Sequence, residues 1–298
     1  MTPIDNHQQM LLVKSTDGGI TFSAPVKVGD FFDLPDCAAN QGNQDRGREC
    51  VPEKGATMNS VFRAANYPVG AVNPRKPSQV VVSYPSYISK NSNESNGCVP
   101  QGFSGFGLAL YVGVKTVGAC NNKIVLSVSN DSGASFTGTT QDVRTLPTVA
   151  DTNAQRKADQ WFQWLTFTAG GKLVASFYDR GYGDDEMTGN SDITVASTTD
   201  LTGSGFDTKR VTSAPMPPPT QFPDGRGTRG SDFWGDYAGL AVHGDTALPI
   251  WSDTRDADIF TCPGTATPGQ PPQLCGAIEP NQLTANDQDI FVDLVDMP

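Results

Sequence analysis

Residues 15–22 read STDGGITF and residues 129–136 read SNDSGASF. Both fit Ser-x-Asp-x-Gly-x-Ser/Thr-Phe, with Ser15, Asp17, Gly19 and Phe22 in the first copy and Ser129, Asp131, Gly133 and Phe136 in the second. Each copy follows an apolar, strand-like run, QMLLVK or KIVLSV, and precedes a second one, APVKVGD or TTQDVRTL. The pattern is that of a hairpin turn. The aspartate accepts backbone N–H groups of its own turn, glycine supplies positive φ, and the aromatic ring tucks against the strand pair. These aspartates therefore read as fold residues.

A third, degraded copy, STTDLTGSGF, starts at Ser197 and runs into DTKRVT. Repetition at this spacing is the mark of a repeat architecture. The motif resembles the Asp-box of the sialidase-like (BNR-repeat) β-propellers. VFRAANYPVGAVNP (61–74), DQWFQW (159–164), VASFYDR (174–180) and DFWGDYAGLAVHGDTALPIWSDTR (232–255) are similar to secreted bacterial members of that group. The resemblance implies an all-β chain of four-stranded antiparallel blades, strands A to D from the inside out, with boxes in the C–D turns. Counting outward from the boxes gives a partial blade at 8–28, full blades at 59–145 and 159–213, and a partial blade at 232–295. Two full and two partial blades make an incomplete ring within one propeller domain. Strand D of the second blade is expected at the VRT of 143–145, and strand C of the last at QDIFVDLV.

Composition agrees with strands and loops. The 298 residues include 31 Gly and 22 Pro, and charged residues are only 18%. That pattern excludes a coiled coil or long-helix protein. The net charge of −11 argues against nucleic acid or an anionic membrane surface as partner. No apolar run approaches 18 residues, so membrane insertion is not expected.

Six cysteines fall as local pairs, Cys37 with Cys50, Cys98 with Cys120 and Cys262 with Cys275, each flanking a turn-rich stretch. With no CxxC and only two histidines, a zinc site does not fit. Three loop-stapling disulfides are the expectation, each contributing about 3 kcal/mol. They imply an extracytoplasmic, secreted setting. MTPIDNHQQM has neither the basic region nor the apolar core of a leader, so the true N-terminus is expected upstream, or trimmed away.

Strand order puts the starts of A and the ends of B on one face, opposite the boxes. That face gathers Arg63, Asp179, Arg180, Trp234, Asp236, Tyr237, Asp253 and Arg255. Aromatic rings, carboxylates and guanidinium groups suit a sugar. Sialidases use a Tyr nucleophile, and the resemblance adds a Glu beside it, an Asp acid/base and three arginines for the substrate carboxylate. On that basis Tyr237, Asp236 and Asp179 are the catalytic candidates. Arg63, Arg180 and Arg255, with Asp253 and Trp234, are the substrate-binding ones. The family's Arg-Ile-Pro segment is absent, and none of Glu49, Glu53, Glu94, Glu186 and Glu279 lies in a strand aimed at the channel. Two readings stay open: an exo-sialidase or related glycoside hydrolase, and a non-catalytic propeller that binds glycan or protein. Asp184, Asp185 and Glu186 could supply oxygen ligands to Ca²⁺.

Overall fold

The computed structural model describes residues 6–40, 47–55, 62–202, 205–217, 232–258, 285–286 and 288–298; of 62–63, 232–233, 257–258 and 285–286 it describes the backbone. Cys262 and Cys275 lie outside the described residues. The chain is nearly all β, in antiparallel sheets. Among the described residues, no helix is long and apolar enough to cross a membrane.

The first sheet pairs β1 (His7–Leu12) with β2 (Val26–Phe32). After a short helix α1 (Cys37–Asn40) and strand β3 (Phe62–Arg63), the second sheet runs β4 (Val69–Val72), β5 (Val80–Ser86) and β8 (Lys123–Ser129). Between β5 and β8 stands a hairpin of β6 (Val99–Phe103) and β7 (Ala109–Val112). The third sheet is β9 (Gln160–Phe167), β10 (Leu173–Asp179), β11 (Asp192–Thr198) and β12 (Asp207–Arg210) in sequential order, with a short helix α2 (Asp185–Thr188) between β10 and β11. Strand β13 (Asp232–Phe233) pairs in parallel with β3. In the fourth sheet β14 (Gly239–His243) flanks β15 (Thr246–Asp253). After the pair β16 (Ala257–Asp258) and β17 (Ala285–Asn286), strands β18 (Asp289–Val292) and β19 (Val295–Asp296) both return to β15. The last strand is thus broken in two, where Leu294 N donates to its neighbour Asp293 Oδ1 at 2.8 Å.

The third sheet shows why its sequence reads apolar on both faces. Side chains alternate across a strand. Leu173, Ala175 and Phe177 of β10 pack with Val81, Ile124 and Leu126 of the second sheet. Val174 and Val195 pack with Leu240, Ala247 and Val295 of the fourth. Both faces are covered, so β10 and β11 are buried throughout. The inner strands β4, β9 and β14 lie side by side.

Both turns that define the repeat close on their aspartates. Asp131 Oδ1 accepts Ser135 N at 2.9 Å and Ser129 Oγ at 2.7 Å, while its Oδ2 accepts Ser135 Oγ at 2.5 Å. Asp17 repeats the set with Thr21 N, Ser15 Oγ and Thr21 Oγ1. In each turn the serine oxygen accepts the N–H of Gly19 or Gly133 at 2.8 Å. Both glycines have positive φ. Phe136 is buried in the core, but Phe22 is 62% exposed. Among the described residues only β1 and β2 make up its sheet, which offers Phe22 no third strand to lie on.

The outer edge of the second sheet also differs from expectation. Residues 143–145 form a 3₁₀ turn, because Asp142 caps it by accepting Arg144 N at 2.8 Å. Pairing to β8 comes later and is brief: Leu126 N donates to Pro147 O and Val149 N to Ile124 O, both at 2.9 Å.

Cys98 and Cys120 form a disulfide across 22 residues. Cys37 and Cys50 do not: both are buried thiols. The register explains this. Asp36 faces Glu49, with Cys37 N bonded to Arg48 O and Cys50 N to Pro35 O. Cys37 and Cys50 are therefore diagonal neighbours, roughly 7–8 Å apart at Cα, beyond the usual disulfide range.

Candidate functional site

The starts of the inner strands are tied together by buried charge. Asp159, just before β9, accepts Asn122 N at 2.6 Å, and its own N–H donates to Glu186 Oε1 at 2.5 Å. Lys54 Nζ lies 3.4 Å from Asp159 and 4.0 Å from Glu186. It also donates to Val114 O at 3.0 Å and to Cys120 O at 2.5 Å. All of these groups are buried or nearly so. Burial, then the charge of Asp159, pushes the Glu186 carboxyl up to about 7. Burial pushes the nearby Lys123 ammonium down to about 8, where it donates to Gln155 O and Ala158 O. Truncating one member would leave an uncompensated buried charge, so this cluster is a staple between the disulfide loop and the inner strands.

Beside it sits a carboxyl pair. Asp33 follows β2 and accepts Leu34 N at 2.9 Å, while Tyr111 Oη donates to its carbonyl at 2.6 Å. Glu49 is held by its bridge to Asp36 and by Ala64 N, which donates to its carbonyl at 3.2 Å. The two carboxyl groups lie close enough to influence each other's protonation, with Asn66 beside Asp33. Burial, then the charge of Asp33, raises Glu49 to about 8, and burial raises Asp33 to about 6. The pair thus holds one proton near neutrality. Asn66 and Asn122 exchange amide hydrogen bonds at 3.0 and 3.3 Å, which joins the pair to Asp159. Glu49 lies outside every strand, yet the Asp36 bridge brings its carboxyl towards Asp33. It lies in a cysteine loop with no strand periodicity, so only the alternating Asp36–Glu49 pairing could have revealed it.

An aromatic series leads from here to the surface. Trp161 stacks on Tyr178 at 5.5 Å, Phe162 meets Tyr178 and Tyr67 at 6.0 Å, and Tyr67 meets Tyr237 edge-on at 5.5 Å. Phe162 has φ 50°, a conformation costly for an aromatic residue. It stands at the bulge where β9 slips against β10. Tyr178 also packs on Trp234 at 5.2 Å and its hydroxyl bonds Ser252 O at 2.8 Å. Tyr237 is 71% exposed and Trp234 1%. Between them and Trp251, Ile250, Gln288 and Ile290 opens a cleft of about 420 Å³.

The expected site residues separate into two groups. Tyr237 is exposed at the cleft and Trp234 forms its buried wall, while Asp236 is exposed but does not line it. Asp179 is fully buried and accepts Gln155 Nε2 at 2.7 Å, Gly181 N at 2.8 Å and Thr194 Oγ1 at 3.0 Å. It is locked in the fold instead of facing a substrate. Arg180 is also buried, over the Trp161 ring at 5.4 Å and donating to Gly189 O at 3.0 Å. Arg255 is committed to Asp253, with Nη2 to Oδ2 at 2.7 Å and Nε to Oδ1 at 2.9 Å. Asp253 further accepts Trp251 Nε1 at 2.9 Å. Of Arg63 only the backbone, in β3, is among the described atoms. Among the described residues, Arg180 packs on Trp161 and bonds Gly189, while Arg255 is taken up by Asp253 and Ser213.

The calcium expectation fails for a similar reason. Asp184 is exposed, Asp185 is buried beside the Asp192 carboxylate, and Glu186 turns to Asp159 and Asn121. Among the described residues, no three such groups gather as a metal cage.

No family model matches the chain, and no curated protein matches it. Two solved structures are similar at low identity. One is the GH93 α-L-arabinofuranosidase of Fusarium graminearum, in complex with arabinobiose: 13% identity, TM-score 0.36, covering 97% of this chain and 55% of that one. The other is a protein of unknown function from Dyadobacter fermentans, at 14% identity and TM-score 0.34, covering 82% of this chain and 44% of that one. The chain spans about half the length of these two structures.

Proposed function

We propose that this chain is part of a secreted, sialidase-like β-propeller, an incomplete ring, that recognises glycan on the face where its inner strands start. The observation that carries the reading is Tyr237. A 71% exposed aromatic ring, braced edge-on by Tyr67, stands at the mouth of a cleft walled by Trp234 and Trp251. Aromatic rings with one wet edge suit the apolar face of a sugar. The propeller is supported by the stacked sheets, the adjacent inner strands and the two matching Asp turns. Secretion is supported by the Cys98–Cys120 disulfide.

The cleft favours a neutral sugar over a sialic acid. Arg180 is buried and Arg255 is bound to Asp253, so neither offers an open fork for a carboxylate. A second reading, glycoside hydrolysis, is favoured by the Asp33–Glu49 pair, which joins a protonated carboxyl to an ionised one. A glycan-array screen of the wild type and Tyr237→Ala, with fluorogenic glycosides assayed in parallel, tests both readings. Neutral glycans retained by the wild type and lost by the variant are the expected result. Hydrolysis abolished by Glu49→Gln would favour the second reading. No glycan bound by the wild type would remove the proposal.

A further inference from the structure

The second sheet ends in 3₁₀ turns and a brief bridge instead of a full outer strand. Beside that edge runs the turn that follows β11. Two adjoining cavities fill this gap, of about 440 and 470 Å³, and both reach Thr202. The first is lined by uncharged amides and hydroxyls, among them Asn73, Gln79, Asn130 and Thr137. The second contains Lys90, Asp151, Arg156, Thr148 and Phe206.

Three features of the second cavity point to a ligand. Asp151 is one carboxylate shared by two cations, Lys90 at 2.7 Å and Arg156 at 3.2 Å, so the site is locally positive in a chain of net charge −11. Arg156 spends only Nε, on Asp151 O at 3.1 Å and Oδ1 at 3.2 Å. Its Nη fork makes no hydrogen bond among the described residues and is half exposed. Thr148 is 0% exposed, yet its hydroxyl has no partner among the described residues. A buried unpaired hydroxyl costs free energy unless something bonds it. Phe206 adds a partly buried ring.

From this geometry we infer a second carbohydrate site, on the flank between the second and third sheets, that takes an oligosaccharide carrying a uronic acid. The uronate sits on the Arg156 fork, a planar match for a carboxylate. Thr148 bonds a sugar hydroxyl, Phe206 carries the ring face, and the chain runs past Thr202 into the amide-lined half. The site shares no lining residue with the Tyr237 cleft.

Calorimetric titration of the full chain with tetragalacturonate, maltotetraose and tetraglutamate tests the inference. Tetragalacturonate is expected to bind at least tenfold more tightly than either other probe. Arg156→Ala is expected to weaken it about tenfold or more, with Arg156→Lys nearly as damaging. Thr148→Val should weaken binding several-fold while leaving the melting temperature unchanged or higher, an outcome that loss of folding cannot imitate. Arg144→Ala, whose guanidinium is already held by Glu94 and Asp142, should bind as the wild type does. Tyr237→Ala should as well, which separates this site from the cleft. No binding of tetragalacturonate, equal binding of tetraglutamate, or unaltered binding by Arg156→Ala would overturn the inference.

Discussion

Replacing Glu49 by Gln removes the proton that Glu49 shares with Asp33 and leaves an amide that can donate in its place. In the folded chain Glu49 rises from 4.5 to about 8 and Asp33 from 3.8 to about 6. The folded state therefore binds more protons than the unfolded one between about pH 4 and pH 8. The sign follows from linkage: this stability is present in full below about pH 4 and is lost as pH rises towards 8. Each pH unit of displacement is worth about 1.4 kcal/mol, so Glu49 alone sets a ceiling of about 5 kcal/mol. Partial exposure and the sharing of one proton reduce this to on the order of 2–3 kcal/mol. Glu186 and Asp185 are raised as well and titrate over the same range, so the wild-type slope is a composite. The difference between wild type and Glu49→Gln isolates the pair. Calorimetric melting from pH 5 to pH 9 should show the wild type losing several degrees relative to the variant. Parallel curves for the two proteins would refute the shared proton and, with it, the acid–base reading of this pair.

Tyr237→Ala should leave the melting temperature within a degree or two, because the ring is 71% exposed, while weakening glycan binding about tenfold. Asp131→Ala should lower the melting temperature without altering glycan affinity, since Asp131 closes its turn away from the cleft. Its carboxyl is lowered to about 2 by Ser135 and Ser129, so its contribution should be present at neutral pH and fade as pH falls from about 4 to 2 in the wild type only. Alkylation under denaturing, non-reducing conditions should label Cys37 and Cys50 and spare Cys98 and Cys120. Reducing that disulfide should cost about 3 kcal/mol.

Strand periodicity and turn chemistry are local, and they read well from the chain. The Ser-x-Asp-x-Gly-x-Ser/Thr-Phe turns, the apolar runs of β8, β10 and β11 and the Cys98–Cys120 loop are all legible in the sequence. What the chain does not show is partnership across space. Asp253–Arg255 and Asp179–Arg180 look alike as dipeptide-scale patterns, yet the first is an ion pair while Arg180 turns away to Trp161 and Gly189. Glu49 sits in irregular loop sequence, and its approach to Asp33 depends on the bridge between Asp36 and Glu49. Asp142 caps a 3₁₀ turn where counting out from the boxes placed an outer strand, and Gln141 before that turn and Thr145 at its end line the amide-lined cavity.

The central claim, that the Tyr237 face holds a neutral glycan, is tested most directly by intrinsic tryptophan fluorescence. Two of the four tryptophans, Trp234 and Trp251, line the cleft. Titration with the strongest neutral ligand from the array should shift their emission saturably in the wild type and in Arg156→Ala, and leave Tyr237→Ala unchanged. An identical saturable response in Tyr237→Ala, or none in the wild type at concentrations where binding is complete by calorimetry, would contradict it.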